Sequence, residues 1–332
     1  MKLVRIAGSG TGLVVESAAS PGVVELAGAA EALAPGHGAL AEALGSLLTD
    51  RAQSWLPLID GWSSVKGTLL ELLEVAHEDL ARGRDRLGIR ELGEVPLEPP
   101  LPDPASRIFA MGGNFPLHTA KMAGTMDLPD SVVSGTVDST PPWGFFVIPG
   151  TVAGAGATVT PPEGTAKLDY EAEVGIVLGA GEHPPGSDHV SVWGYTAWND
   201  FSIRDEALGL ARIDHGPLTW SLTKNFRTGN TCGPWLVVDE PMDVDDLGIR
   251  CRVNEELRQD GTTADMRYSF GAIAAHVSRY APLGAGDMIL SGTPGGTAME
   301  GGLTGPFLMD GDEVEVVVDG VAPLRNSVKM SA

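Results

Sequence analysis

The sequence predicts an α+β fold that is rich in β-strands. Its 332 residues include 44 glycines and 24 prolines, which indicate many turns and short strands rather than long helices. The regular alternation of strand and helix that marks a parallel α/β sheet does not run along the chain. A hydrophobic content of 43% is sufficient for a sizeable core.

The first hundred residues predict a small α+β domain. Strands are expected at residues 1–7, 12–16 and 23–27, followed by a long helix at 68–87. Within that helix, apolar residues recur at helical spacing: Leu69, Leu72, Leu73, Ala76 and Leu80. The proline-rich segment 96–104 is typical of a linker. We therefore expect a small N-terminal domain, residues 1–100, and a larger domain, residues 103–332, that carries the chemistry.

Residues 167–179 are expected to form a strand with two carboxylates on one face. Because strand side chains alternate between faces, Glu171 and Glu173 point the same way, with Cα atoms roughly 6–7 Å apart. The rest of the run is apolar, and no Lys or Arg follows Lys167 within it. Paired carboxylates beside an apolar run repel each other and lose hydration, which a bound cation would offset. The alternative is a solvated strand face with two surface glutamates.

A second predicted strand, residues 194–205, ends in a polar cluster that contains Asp200. Three carboxylates that leave positions open for water and substrate are the usual way in which proteins hold Mg²⁺. Oxygen ligands suit Mg²⁺, Mn²⁺ or Ca²⁺ better than softer metals. The pattern therefore favours a divalent-metal site formed by Glu171, Glu173 and Asp200.

Composition excludes several classes of function. The formal net charge of −22 argues against nucleic-acid and anionic-membrane partners. No stretch approaches the roughly 18 consecutive apolar residues of a membrane span, and the N-terminus does not read as a secretory leader. Two cysteines, Cys232 and Cys251, do not make a disulfide framework, so a cytoplasmic protein is expected. An anionic substrate would depend on local cations acting within roughly 8–10 Å.

The motifs of the larger domain resemble those of the fumarylacetoacetate hydrolase family. The resemblance rests on Asp-Tyr-Glu-x-Glu at 169–173, Asn-Asp-x-Ser-x-Arg-Asp at 199–205, the lysine segment at 217–226, the hairpin at 253–261 and the threonine loop at 283–296. It covers roughly residues 103–330 in order. It implies a mixed β-roll or β-sandwich core with peripheral helices, preceded by a small α+β accessory domain, and a homodimer.

The resemblance also implies roles for individual residues. A metal on the three carboxylates would act on an anionic keto acid or diketone, with His118 activating water and Lys224 neutralising the developing enolate or holding the substrate carboxylate. Thr293 and the backbone of its loop, including Gly292, would stabilise the second oxyanion. Arg204 would buttress the metal ligands or contact substrate.

Three positions depart from the family pattern. Many members have a glutamate one helical turn after the histidine, where this chain has Lys121. Since residues three apart share a helix face, Lys121 would repel a protonated His118. Ile148 stands where a lysine is common, and Ala207 where several members carry a glutamine. Lys121 could have taken over binding of the substrate carboxylate, or the hydrolytic relay could be lost.

The resemblance thus favours a divalent-metal-dependent hydrolase that cleaves a C–C bond in an acylpyruvate-type 1,3-diketo acid, with a metal-stabilised enolate as leaving group. One alternative is an oxaloacetate-type decarboxylase or a keto–enol or double-bond isomerase with the same electron sink. Another is a binding or assembly protein that has lost catalysis. Trp143, Phe145 and Trp198 suggest an aromatic or hydrophobic substrate, whose identity the sequence does not give.

Overall fold

Two large β-sheets, a small sheet that pairs Leu168–Asp169 with Ser202–Ile203, and flanking helices form the fold in the described residues. The computed structural model describes residues 1–8, 10–17, 20–47, 54–125, 141–181, 183–205, 217–241 and 243–331. Within these ranges, no helix is both long and apolar enough to cross a membrane.

The helices lie mainly in the N-terminal third. They are α1 (Leu26–Leu33), α2 (Gly38–Leu47), α3 (Leu56–Asp60), α4 (Trp62–Ala81), α5 (Pro116–Thr125), α6 (Pro217–Lys224) and α7 (Phe270–Val277). Short 3₁₀ helices span Leu92–Glu94, Pro149–Thr151, Thr263–Asp265 and Ala298–Thr304.

The strands are short, as the abundance of turn residues predicts. They are β1 (Lys2–Ile6), β2 (Gly10–Val15), β3 (Gly22–Glu25), β4 (Arg90–Glu91), β5 (Leu97–Glu98), β6 (Ile108–Gly112), β7 (Trp143–Val147), β8 (Val152–Ala153), β9 (Thr158–Val159), β10 (Leu168–Asp169), β11 (Ala172–Leu178), β12 (Val192–Asp200), β13 (Ser202–Ile203), β14 (Asn230–Val238), β15 (Gly248–Val253), β16 (Glu256–Thr262), β17 (Met288–Leu290), β18 (Glu313–Val318) and β19 (Leu324–Val328). The prediction of a β-rich α+β fold is confirmed.

The larger sheet joins both parts of the chain. Its main path runs β4-β3-β2-β1-β14-β12-β11-β17-β6-β7, with β5 on β1 and β8 on β14. Strand β1 pairs antiparallel with β14, so the N-terminal hairpin extends the same sheet that carries the acidic motifs. The three N-terminal strands form as predicted. The division into residues 1–100 and 103–332 stays a prediction.

The long N-terminal helix begins and ends earlier than predicted. It spans Trp62–Ala81 rather than 68–87. It ends early because the chain turns at Gly83, whose φ of 61° suits glycine. Leu87, expected to close the helix, is instead buried in the core beyond that turn.

The core lies on both faces of the larger sheet. Strand β11 is buried along its whole length, and its side chains contribute to two apolar clusters. One cluster lies under the five-stranded sheet β16-β15-β18-β19-β9, and the other under the N-terminal helices. A strand covered on both faces explains why residues 174–178 are continuously apolar rather than alternating.

Candidate active site

Three carboxylates meet where β11 and β12 pair. The predicted strand 167–179 is interrupted at Tyr170 and Glu171, so Glu173 lies within β11 and Glu171 just before it. Asp200 ends β12, and its N–H donates to the Glu171 carbonyl at 2.9 Å. One oxygen from each of Glu171, Glu173 and Asp200 lies within 4.8 Å of the other two. All three side chains are buried, so the alternative of a solvated strand face is wrong.

Burial and mutual repulsion perturb the acidic cluster strongly. Burial, with the neighbouring charges of Asp200 and Glu171, raises the pKa of Glu173 well above its ordinary value. Burial also raises the pKa of Asp200 to about 7, against the opposing effect of Lys224. For Glu171, burial is outweighed by Arg204 and Lys224, which hold its pKa well below the usual range.

Two buried cations compensate part of this charge. Lys224, the last residue of α6, donates through Nζ to Glu171 Oε2 and to Asp200 Oδ2, the latter at 2.6 Å. Arg204 donates to Glu171 Oε1, and its Nε donates to Asp169 Oδ2 at 3.0 Å. The sequence predicted both cations at this site, and the structure gives Arg204 the buttressing geometry.

The residues present fit a hard divalent cation. Asp200 Oδ1 is buried and has no hydrogen-bond partner among the described residues, which is a costly arrangement for a lone carboxylate oxygen. Glu173 Oε2 accepts from the Gly292 N–H at 3.1 Å, which fixes that side chain. The Gly292 N–H is thus used by Glu173, and the role of Gly292 toward the substrate stays a prediction. The oxygen donors match the preference of Mg²⁺ and Mn²⁺.

A closed set of hydrogen bonds holds the residue between the two glutamates. The Ala172 N–H donates to Gln259 Oε1 at 3.0 Å, and the Ala172 carbonyl accepts from Thr293 Oγ1 at 2.9 Å. Gln259 Nε2 in turn donates to Thr293 Oγ1 at 2.8 Å. Since the one hydroxyl proton of Thr293 is directed to Ala172, its role as an oxyanion donor stays a prediction. The sequence identified Gln259 only as part of a hairpin motif.

The buried histidine has a carboxylate partner from a distant part of the chain. His118, in the first turns of α5, places Nδ1 at 2.8 Å from Glu300 Oε1. Glu300 lies in the 3₁₀ helix Ala298–Thr304, and Oε1 also accepts from the Gly296 N–H at 2.9 Å. Burial opposes ionisation, but the hydrogen bonds from His118, Gly296 and Lys121 outweigh it and lower the pKa of Glu300. An ionised carboxylate only accepts, so Nδ1 carries a proton, and in the neutral imidazole Nε2 is then the basic nitrogen.

This pairing corrects the interpretation of Lys121. Its Nζ lies 3.1 Å from Glu300 Oε2, while His118 uses the other oxygen of the same carboxylate. The negative charge of Glu300 therefore lies between His118 and Lys121 and offsets the repulsion that sequence spacing predicts for a protonated His118. The loss of a carboxylate partner at residue 121 does not leave the histidine without one. No local motif indicated Glu300, because it lies 182 positions from His118.

Of the remaining residues that the sequence singled out and the structure describes, only Phe145 is placed at the acidic cluster by the contacts below. Ile148 is 52% exposed at the end of β7, and Ala207 lies outside the described residues. Trp198 is fully buried and donates to Asn230 Oδ1, so it belongs to the core. The Phe145 ring lies 5.6 Å from Lys224 Nζ, at the edge of the acidic cluster.

Similarity to known proteins covers the whole site. Residues 107–329 match the sequence profile described as the fumarylacetoacetate (FAA) hydrolase C-terminal family. Oxaloacetate tautomerase YisK of Bacillus subtilis is 31% identical over 287 residues, covering 80% of this chain and 87% of that protein. An Escherichia coli 4-hydroxyphenylacetate degradation bifunctional isomerase/decarboxylase is 32% identical, covering 69% of this chain and 48% of its own length.

A solved structure extends the likeness in fold to the N-terminal part. Maleylpyruvate hydrolase from Sphingobium sp. SYK-6 superposes with a TM-score of 0.67 at 21% identity and covers 100% of both chains. At this identity the likeness concerns the fold alone.

Proposed function

This chain belongs to the fumarylacetoacetate hydrolase family, whose members are enzymes, and we propose that it is a divalent-metal-dependent hydrolase. The bond cleaved joins the acyl carbonyl carbon to the methylene carbon of the pyruvate unit in an acylpyruvate-type 1,3-diketo acid. The products are pyruvate and the carboxylic acid of the acyl group.

The hydrogen bond between His118 and Glu300 carries this proposal. Hydrolysis needs a base that can take a proton from water, and a neutral imidazole oriented by a carboxylate is suited to that task. Each side chain is only 9% exposed, so the pair is largely shielded from bulk solvent. The pair also argues against the alternative of a family member that has lost catalysis, because that alternative rested partly on the missing carboxylate.

Each polar group has a place in the proposed reaction. Glu171, Glu173 and Asp200 would hold a divalent ion, which when bound supplies positive charge for the substrate oxygens. Lys224 contributes a second positive charge beside the acidic cluster for the substrate carboxylate. His118 Nε2 takes a proton from water as the water oxygen attacks the acyl carbonyl, and Glu300 stabilises the imidazolium. The C–C bond then breaks and its electron pair leaves with the pyruvate enolate. The proton that His118 took from water is finally delivered to the carbon of that enolate, which restores the neutral imidazole.

A second candidate is enol–keto tautomerisation of an oxaloacetate-like acid. The 31% identity with the Bacillus subtilis tautomerase over 80% of this chain favours it. In this reaction His118 would move a proton between oxygen and carbon of the substrate, and no water would be consumed. The same residues would serve both reactions, so the two candidates are distinguished by which substrate the protein converts.

Turnover of the protein loaded with Mg²⁺ or Mn²⁺, beside an EDTA-treated control, tests both candidates. Acetylpyruvate and oxaloacetate are followed side by side by the loss of their enol absorbance. We expect acetylpyruvate to be consumed only in the metal-loaded sample. Acceleration of oxaloacetate ketonisation without consumption of acetylpyruvate would replace the hydrolase with the tautomerase, and loss of CO₂ from oxaloacetate would indicate a decarboxylase. If the metal-loaded protein neither consumed acetylpyruvate nor changed oxaloacetate, the proposal would be contradicted.

A further inference from the structure

An apolar wall lies between the lysine of the acidic cluster and the loop that leads into the helix of His118. It consists of Trp143 and Phe145, which lie two residues apart on β7 and therefore share one face of the sheet. In the pairing with β6, Trp143 lies opposite Gly112 and Phe145 opposite Ala110. Phe146 points to the other face, where its ring packs edge-on against Phe109 at 5.7 Å.

One end of the wall lies at the lysine of the site. The Phe145 ring centroid is 5.6 Å from Lys224 Nζ. The next residue, Asn225, fixes this strand to α6, because its side chain accepts from the Ile148 N–H at 2.7 Å and donates to the Phe146 carbonyl at 3.2 Å. The distance between the lysine and the wall is thus set by direct hydrogen bonds.

The other end of the wall lies against the loop that leads into α5. The Trp143 indole covers Gly112 and Gly113, since a Cβ on Gly112 would lie 2.4 Å from the indole ring and one on Gly113 would lie 3.1 Å from it. The same position on Gly113 is 3.5 Å from Thr119 Oγ1, next in sequence to His118. Only glycine allows the indole to lie this close to the loop that leads into the helix. Trp143 nevertheless remains 49% exposed.

We propose that this wall is the subsite for the acyl group of the substrate, and that the acyl group is aromatic, so that the substrate class is the aroylpyruvates. The inference rests on the proposed hydrolase. In that reaction the pyruvate end lies at Lys224 and the acyl carbonyl lies within reach of the water held by His118. We therefore place the acyl substituent against the end of the wall away from Lys224, which is Trp143. A half-exposed indole offers a flat apolar face that an aryl ring covers far better than a methyl group does.

The test compares benzoylpyruvate with acetylpyruvate in the Mn²⁺-loaded protein. We expect wild type to favour benzoylpyruvate in kcat/KM by about tenfold or more, and Trp143→Ala to remove about tenfold of that preference, from the lost ring contact and apolar area. Trp143→Phe should retain most of it. Phe146→Ala is the matched control, since Phe146 is 48% exposed on the same strand but faces away, and it should leave the preference unchanged. Thermal melting establishes that each variant is folded.

Dissociation constants of both compounds, from calorimetry on the same proteins, separate the two proposals. Tight binding of benzoylpyruvate that weakens in Trp143→Ala but not in Phe146→Ala supports the subsite, even if no cleavage occurs and the hydrolase proposal fails. Cleavage of both compounds with no preference in wild type would overturn the subsite while supporting the hydrolase. Equal effects of Trp143→Ala and Phe146→Ala on the preference would also overturn it.

Discussion

Glu300 accepts a hydrogen bond from Nδ1 of His118 at 2.8 Å, although the two residues lie 182 positions apart in the chain. The carboxylate selects the tautomer of the neutral imidazole that carries its proton on Nδ1 and its lone pair on Nε2. Its second oxygen pairs with Lys121 at 3.1 Å, and its backbone carbonyl accepts from Thr125 Oγ1 at 2.9 Å. One residue thus anchors three residues of α5 and orients the proposed base.

Glu300→Gln should lower kcat by about 10²–10⁴-fold, the range for the loss of an oriented general base. An amide can donate as well as accept, so it no longer selects the tautomer with the proton on Nδ1, and it does not stabilise the imidazolium. Steady-state kinetics on acetylpyruvate measures the change, and calorimetry should find Mn²⁺ affinity unaltered. Glu315→Gln, which removes a carboxylate paired with Arg325 on another sheet, is the control and should keep full activity. A Glu300→Gln enzyme as active as wild type would exclude the proposed pair.

Glu173→Gln should separate metal binding from stability. Burial and its two acidic neighbours raise the pKa of Glu173, so a neutral amide at this position relieves repulsion in the metal-free protein. We expect an unchanged or higher Tm in EDTA. The loss of a metal ligand should raise the Mn²⁺ Kd by at least about 100-fold, beyond the effect of an outer-shell partner. A Tm that falls sharply in EDTA, with Mn²⁺ affinity retained, would assign Glu173 a structural role.

The affinity for Mn²⁺ should fall as the pH is lowered below 7. The pKa of Asp200 is raised to about 7, and a metal ligand must give up its proton before it binds. Calorimetry between pH 6 and pH 8 in two buffers of different ionisation enthalpy should detect proton release on binding below pH 7. An affinity that is constant across this range would contradict the raised pKa.

The raised pKa of Asp200 should also make the metal-free protein less stable as the pH rises. Between its ordinary value and about 7, Asp200 keeps its proton in the folded state but loses it in the unfolded state. The folded state then binds more protons, so the free energy of unfolding decreases with rising pH through this window. Asp200→Asn should remove this part of the pH dependence of Tm in EDTA.

Gln259→Leu should weaken Mn²⁺ binding by about 10–100-fold, as expected when an outer-shell partner is lost. The Gln259 side chain accepts from the N–H of Ala172, which lies between Glu171 and Glu173, and it donates to Thr293 and to the Pro294 carbonyl. Asn326→Leu is a matched control, because Asn326 is also buried and its amide bridges the carbonyls of Gly154 and Ala157, outside the site. Both variants should lose stability, but only Gln259→Leu should lose metal affinity. Equal metal affinity in the two would show that Gln259 supports the fold alone.

Local patterns predicted the parts of the site that depend on local geometry. Strand alternation predicted that Glu171 and Glu173 lie close together, which they do although Glu171 precedes β11, and the end of the next strand supplied Asp200. The break at Tyr170 was not predicted, because nothing in the apolar run marks it. Spacing along α5 set Lys121 against His118, yet tertiary structure inserts Glu300 between them. The roles of Gln259 and Glu300 depend on loops that meet only after folding, so periodicity carries no signal for them.

The most direct test of the central claim is to quantify pyruvate and acetate by ¹H NMR after acetylpyruvate is mixed with the Mg²⁺-loaded protein. The account predicts equal amounts of the two products, formed at a rate that EDTA abolishes and Glu300→Gln reduces by about 10²-fold or more. Unchanged acetylpyruvate, in a preparation that accelerates the ketonisation of enol-oxaloacetate, would contradict C–C hydrolysis and assign the site to proton transfer alone.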